Sequence, residues 1–327
     1  MKKVFFFIIL CSTILSACKN DTYRTKPGAH GNAGNILIVM ENNLWNSEPG
    51  DSIRAIFHQF CRALPRSEYL FTLHQIEREK FIEHNRYHRN IIYTDISPDL
   101  SVSQTGITRD KYSRRQLFVN ISAQNQKEFV QELSKYKDRL VKLFLDEDRD
   151  RYLFHVRNHT NKTVSEMLRN KHEIILQVPR NYTIDENKDN FVWISFETAK
   201  YIMGIFIYHY PYTDTSSLDY DYLINMRNKI LKENVPGEVP GSYMTTEVKF
   251  YPPYLDIIEH NKQKTAYIQG LWRVQGDFMG GPFVNYTKID HKRNRIVSVE
   301  GFVFYPNQEH RDMIRRLDAI LYTFDLI

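Results

Sequence analysis

Cysteine is scarce in this sequence: Cys11, Cys18 and Cys61 are the only three in 327 residues. Two of them fall in the first 18 residues, so a disulfide framework is excluded and the body has to stand on an apolar core. A second long hydrophobic run is missing too, and the one at residues 4–15 is well short of the about 20 apolar residues that span a bilayer. Charge of one sign is also lacking. The 44 Lys and Arg are interspersed with 39 Asp and Glu for a formal net charge of +5, which argues against a nucleic-acid partner. There is no Walker sequence, no CxxC pair and no GxSxG elbow, so no cofactor or metal is implied. Gly28, Gly31 and Gly34 precede a strand where a dinucleotide loop would follow one.

What is present is ample material for a folded body: 42% apolar and 13% aromatic residues against 25% charged. The length suggests two units at about 150 residues each. The start of the chain has the three parts of a leader: positive Lys2 and Lys3, an apolar stretch from Val4 to Leu15, and small Ser16 and Ala17 before a cut. Residues 1–17 are therefore expected to be removed. Residues 18–34, polar and rich in glycine, read as a flexible tether. Cys61, near the end of an apolar-periodic segment, reads as a small buried hydrophobe.

Beyond the tether, "NILIVM" predicts a buried strand and "EPGDSIRAIFHQF" a helix with Asp51 as its N-cap. "RNIIYTDIS" and "RRQLFVNIS" read as further strands, and Phe129, Leu133, Tyr136, Leu140 and Phe144 mark a helix over 125–145. One or two half-exposed helices follow in the charge-dense stretch to residue 172. From there "FVWISFE", "IMGIFIYHY", "MTTEVKF", "AYIQGLWRV", "FVNYTKI" and "IVSVEGFVFY" predict an antiparallel sheet, with a hairpin turning through "DHKRNR". Helices are expected at 217–233 and 308–324. The expected fold is α+β in two parts, an N-terminal mixed α/β domain over 35–170 and a C-terminal antiparallel sheet with helices on one face over 171–327.

Leu15-Ser16-Ala17-Cys18 resembles a bacterial lipobox, and that resemblance implies that Cys18 becomes the first mature residue and carries acyl chains. Two or three chains at about 0.8 kcal/mol per buried methylene anchor a protein stably. "GNILIVM", "HRNIIY", "VPRNYTI", "GSYMTTE", "GLWRVQGDFMGGPFVNY" and "VEGFVFYP" together resemble an uncharacterised Bacteroidota lipoprotein family, domain of unknown function 4837, along nearly the whole mature chain. The resemblance implies an outer-membrane anchor and brings no catalytic residues. "CKNDTYR" lacks the acidic cluster typical of surface export in such bacteria, which favours a periplasm-facing body over the cell surface. The order of elements is also loosely similar to Mog1/PsbP-type domains.

Candidate chemistry is sparse. His84 and His88, four apart, could share a helical face, but Asn85 stands where a zincin has Glu and no third ligand is near. "GDFMGGPFVNY" is the most pronounced local pattern. Gly280 and Gly281 could present backbone amides to a ligand, or could simply form the turn that delivers Phe283 into a strand. Around them Trp272, Arg273, Asp277, Tyr286 and Glu300 form a candidate sugar- or peptide-binding surface. The function expected is a non-catalytic binding or scaffold module of the envelope, with a membrane contact through lipid and a protein or glycan partner. The alternative is an envelope hydrolase acting on glycan or peptide, using Asp277 and Glu300 beside the turn.

Overall fold

A computed structural model describes residues 26–213 and 218–327. The first half is built from β1 (Asn35–Val39), α1 (Asn42–Trp45), α2 (Glu48–Phe57), β2 (Thr72–Ile76), β3 (Asn90–Ile96), β4 (Gln104–Arg109), β5 (Leu117–Ala123) and α3 (Gln126–Asn158). Its sheet runs β2-β1-β3-β5-β4, parallel except for β4. Both faces of β1 are buried, which is why it reads as an unbroken apolar run. Ile36 and Ile38 pack under α2 and α3 with Phe57, Phe129 and Phe144, while Leu37 and Val39 meet Phe81, Ile91 and Phe118 on the other side.

Three expectations change here. The N-cap of α2 is Ser47, and Asp51 lies within the first turn, because Pro49 is tolerated at the start of a helix where its missing N–H is not needed. Between the two expected strands "RNIIYTDIS" and "RRQLFVNIS" lies the edge strand β4, and neither it nor β2 was anticipated. From Lys26 onward the tether is hydrogen-bonded to the body, with bridges Gly28↔Arg114 and His30↔His88.

Helix α3 does not end near residue 145. Its charge-dense continuation is held by i,i+3 and i,i+4 pairs, Arg149 and Lys142 to Asp146 and Arg151 to Asp148. Arg151 also donates to the Asn90 side chain at 2.9 Å and to the carbonyls of Arg89 and Arg115 at 3.0 and 2.7 Å. The next helix, α4 (Lys162–Lys171), is capped by the Asn161 side chain and sends Val164 and Leu168 into the second core. By packing, the second half begins near Asn161 rather than at 171.

That half comprises β6 (Ile174–Ile175), β7 (Thr183–Asn187), β8 (Phe191–Glu197), β9 (Ile202–Pro211), α5 (Tyr220–Asn234), β10 (Tyr243–Thr246), β11 (Tyr254–His260), β12 (Gln263–Gln275), β13 (Gly280–Asp290), β14 (Arg295–Phe304), α6 (Arg311–Leu321) and β15 (Asp325–Leu326). The eight-stranded antiparallel sheet runs β10-β12-β13-β14-β9-β8-β7, with β11 also on β12. The α+β class is as expected, with one difference: helices cover both faces. Successive strand residues point opposite ways, so Phe283 and Phe302 pack with Leu223 and Leu231 of α5, while Val284 and Val299 pack with Leu317 and Ile320 of α6. The two halves meet along α6, where Arg311 and Arg315 donate to the carbonyls of Tyr69 and Leu70 at 3.0 and 2.6 Å.

Candidate functional site

From Gly280 on, the "MGGPF" segment is strand, not loop. Gly280 pairs with Arg273 and Gly281 with Trp272 across the β12–β13 hairpin, and the turn lies upstream at residues 276–279, where Gly276 carries the positive φ of 92°. Gly281 is needed for close approach. A Cβ there would sit 2.0 Å from the Val303 carbonyl oxygen and 3.1 Å from the Trp272 indole nitrogen. The β13–β14 ladder stops at Phe283↔Phe302, since Pro282 has no N–H to continue it. The Val303 carbonyl accepts instead from Trp272 Nε1 at 3.2 Å.

The residues around this segment do not converge. Trp272, 2% exposed, belongs to the α5-side core. Glu300, fully buried on the same side, takes two hydrogen bonds from Arg227 of α5, at 2.8 and 2.6 Å, and one from Asn285 at 3.1 Å. Arg227 also donates to Thr246 Oγ1 at 2.7 Å and lies 3.8 Å above the Phe283 ring. Asn285 completes a closed network by reaching the Tyr208 hydroxyl.

Tyr286 points the opposite way, under α6. Its hydroxyl donates to Asp318 Oδ1 at 2.9 Å, and Tyr267 donates to the same oxygen at 3.1 Å. Burial raises the Asp318 carboxyl above its usual range, against the two phenol donors and nearby Arg149 that lower it. Burial likewise pushes both phenols well up, reinforced by Asp318.

Arg273 and Asp277 are on the surface, where each fixes a loop. Asp277 Oδ1 accepts from Phe278 N at 2.6 Å, at the tip of the hairpin. Arg273 pairs with Glu247 at 3.3 Å, and Glu247 Oε1 accepts from the backbone N–H of Lys249 and Phe250 at 2.8 and 2.9 Å. Both loops present an aromatic ring outward: Phe278 is 103% and Phe250 78% exposed relative to a free side chain.

A hydrolytic pair of Asp277 and Glu300 therefore has no geometry to support it. One is a turn acid, and the other is sealed in an ion pair beneath α5. Two clefts lie elsewhere. One of about 510 Å³ opens at the start of α6 beside Arg66, Tyr305, Gln308, Glu309 and Arg316, and one of about 300 Å³ lies between α3 and α4 beside Arg157, Lys162, Ser165 and Arg169.

His84 and His88 lie in and just beyond a 3₁₀ turn, Glu83–Tyr87, so they do not share an α-helical face. His88 Nδ1 lies 3.0 Å from the Asn90 carbonyl, and its Nε2 is 2.8 Å from where a Gly31 Cβ would be. Among the described residues no group of three or more His, Cys, Asp or Glu side chains could hold a metal ion. Cys61 is half-buried, and burial raises its thiol pKa against the lowering influence of Arg315 and Arg311. Cys18 lies outside the described residues, and no helix among them is long and apolar enough to cross a membrane.

Sequence reasoning missed Arg227, Asn285 and Asp318. Two of them had a positional signal: Arg227 falls four residues after Leu223 and three before Ile230, on the apolar stripe of α5, and Asp318 four after Ile314 and three before Leu321, on that of α6.

Residues 161–323 match the family model described as domain of unknown function 4837, and residues 29–157 match a second, domain of unknown function 8532. The expected single family along the mature chain is thus two domains of unknown function in tandem, meeting where α3 gives way to α4. No curated protein matches the sequence. Among solved structures, one from Bacteroides thetaiotaomicron VPI-5482 is 8% identical with a TM-score of 0.27, covering 47% of this chain and 45% of its own, so this chain spans less than half of that protein. A single-site mutant of protein Mog1 is 9% identical with a TM-score of 0.31, over 47% of this chain and 91% of its own. The Ran-binding protein Mog1p of Saccharomyces cerevisiae is 12% identical with a TM-score of 0.29, over 47% and 90%.

Proposed function

We propose that this chain is an envelope lipoprotein, acylated at Cys18, held at the outer membrane with its body facing the periplasm, and that the body is a non-catalytic binding or scaffold module for an envelope protein or polymer. The lipobox supports the anchor. The binding role rests on one observation: Phe278 and Phe250 stand exposed on turns whose backbone N–H groups are tied to Asp277 and to Glu247, itself paired with Arg273. Exposed aromatics on stiffened loops lose little conformational freedom on binding, and aromatic side chains are enriched at the centres of interfaces. Asp277 and Arg273 are positioning residues in this reading.

The test has two arms. Cys18→Ala should release the body from the membrane fraction. A photocrosslinking side chain in place of Phe278 should give a discrete adduct in intact envelopes that is lost on Phe250→Ser, with an unchanged melting temperature. An adduct unaffected by Phe250→Ser, or none above that from exposed Lys264, would sink the binding surface.

A further inference from the structure

The first described residues are stitched into the body as an added ribbon. Ala29 N donates to Arg114 O at 3.0 Å and Arg114 N to Pro27 O at 2.7 Å; His30 N donates to Tyr87 O at 3.0 Å and Arg89 N to His30 O at 2.8 Å. The ribbon lies between the loops 84–89 and 110–116, at the N-terminal ends of β1, β3 and β5. Gln116 locks the two loops together through the Arg86 and His88 carbonyls, at 2.7 and 2.8 Å.

On and beside this surface lie exposed Lys26, Lys80, whose carbonyl accepts from the Asn85 side chain at 2.7 Å, Arg86, Lys111, Arg114 and Arg115, with Lys111 and Arg115 over the Phe118 and Phe154 rings at 3.8 and 3.1 Å. Among the described residues none of the six is ion-paired, whereas their neighbours Arg109 and Arg151 are, with Glu147 and Asp148. The acids of the same segments are Glu79, Glu83 and Asp110, and the Asp110 carboxylate is turned inward onto the backbone N–H of Arg115 and Gln116. In a chain whose charges are otherwise mixed, a group of cations without carboxylate partners around the first described residues is a local excess that an anionic partner would neutralise.

We propose that this face lies on the anionic headgroups of the membrane that holds the acyl chains, with lipid phosphates as its ligands. The proposal rests on the acylation of Cys18. Seven residues lie between Cys18 and Lys26, eight Cα-to-Cα steps that reach at most about 29 Å, so the basic face stays close to the leaflet and its local headgroup concentration is high. Each cation near an anionic leaflet strengthens attachment several-fold, in a salt-sensitive way. Arg86, Arg114 and Arg115 carry guanidinium forks that match phosphate oxygens bidentately. The anchor and the face then act as two attachments, one hydrophobic and one electrostatic, that fix which side of the body looks at the membrane.

The test uses the full-length acylated chain reconstituted into vesicles of phosphatidylcholine alone or with added phosphatidylglycerol, read by hydrogen–deuterium exchange at 84–89 and 110–116. In the anionic vesicles exchange should slow by at least about threefold and return to the neutral-vesicle rate in about 0.5 M salt. Lys80→Glu with Arg114→Glu should lose the slowing while still sedimenting with vesicles at an unchanged melting temperature. The vesicle comparison stands without the variant. Equal exchange in both vesicle types, with the chain bound to both, overturns the proposal and leaves the anchor intact. A chain left in the supernatant of both overturns the anchor first, and this proposal with it.

Discussion

The Glu68 carboxylate, in the first half of the chain, closes the N-terminus of α6 in the second, at its N-cap His310 and first residue Arg311: Oε1 accepts from His310 N at 2.7 Å and Oε2 from Arg311 N at 2.9 Å. Helix α6 has no side-chain cap of its own, so its free N–H groups are satisfied across the junction, by a negative charge at the positive end of the helix.

Glu68→Ala should therefore destabilise the full chain by about 1–3 kcal/mol, with Glu68→Gln recovering part of the loss through its one remaining carbonyl. Urea unfolding measures both. An unchanged midpoint in Glu68→Ala would show that solvent substitutes for the carboxylate.

The Arg227–Glu300 pair predicts strong coupling. Arg227→Met leaves a buried carboxylate unpaired and should lose about 3–5 kcal/mol, and Glu300→Leu should do comparable damage by orphaning the guanidinium. The double variant should be far less destabilised than the sum. A double-mutant cycle reads this directly, and additive losses would mean that the two residues do not act as a unit.

His88 predicts a pH dependence. Burial lowers its pKa to about 4, against the raising effect of the Asn90 carbonyl and together with His30, His74 and Arg89 nearby. The unfolded imidazole, with the ordinary histidine value of 6.5, takes up a proton that the folded one refuses, so stability contributed by neutral His88 is complete above about pH 6.5 and is lost as pH falls toward about 4. Over that window the unmodified chain should lose stability more steeply than His88→Gln. Identical slopes in urea titrations would contradict the burial of the ring.

Gly281→Ala separates a packing role from a ligand-presenting one. With Val303 O 2.0 Å from the added Cβ, the substitution should lower stability by about 3 kcal/mol or more. Gly28→Ala, with nothing within 4 Å of its added Cβ, should stay within about 0.5 kcal/mol. If Gly281→Ala melted normally and only lost binding, the segment would have to be a loop after all.

Much of the fold was legible because its strands are long and apolar on both sides. "NILIV" and "IVSVEGFVF" announce themselves by composition. Of the strands that escaped notice, β2, β4, β7 and β11 lie at sheet edges with mostly exposed or half-exposed residues, and an edge gives no burial pattern to read. Helices were expected on one face because periodicity tells which stripe of a helix is buried but not which side of a sheet receives it. The candidate site failed for a related reason. Tyr286 and Glu300 sit on neighbouring strands, yet the register pairs Tyr286 with Val299 and Asn285 with Glu300. A one-residue offset sends their side chains to opposite faces. Sequence proximity showed the hairpin, and only the register showed that Glu300 belongs with a distant arginine.

Helix α3 runs unbroken for 33 residues, about 50 Å at 1.5 Å per residue. It works as a keel for the whole body: Phe129 and Leu133 seat it in the first core, and its far end grips the basic loops through Arg151 and faces the Tyr322 ring through Arg149, 3.8 Å away. Swinging one half against the other would mean tearing that rod from one of its seats, so whatever turns the basic loops of the first half turns the Phe278 and Phe250 tips of the second by the same angle.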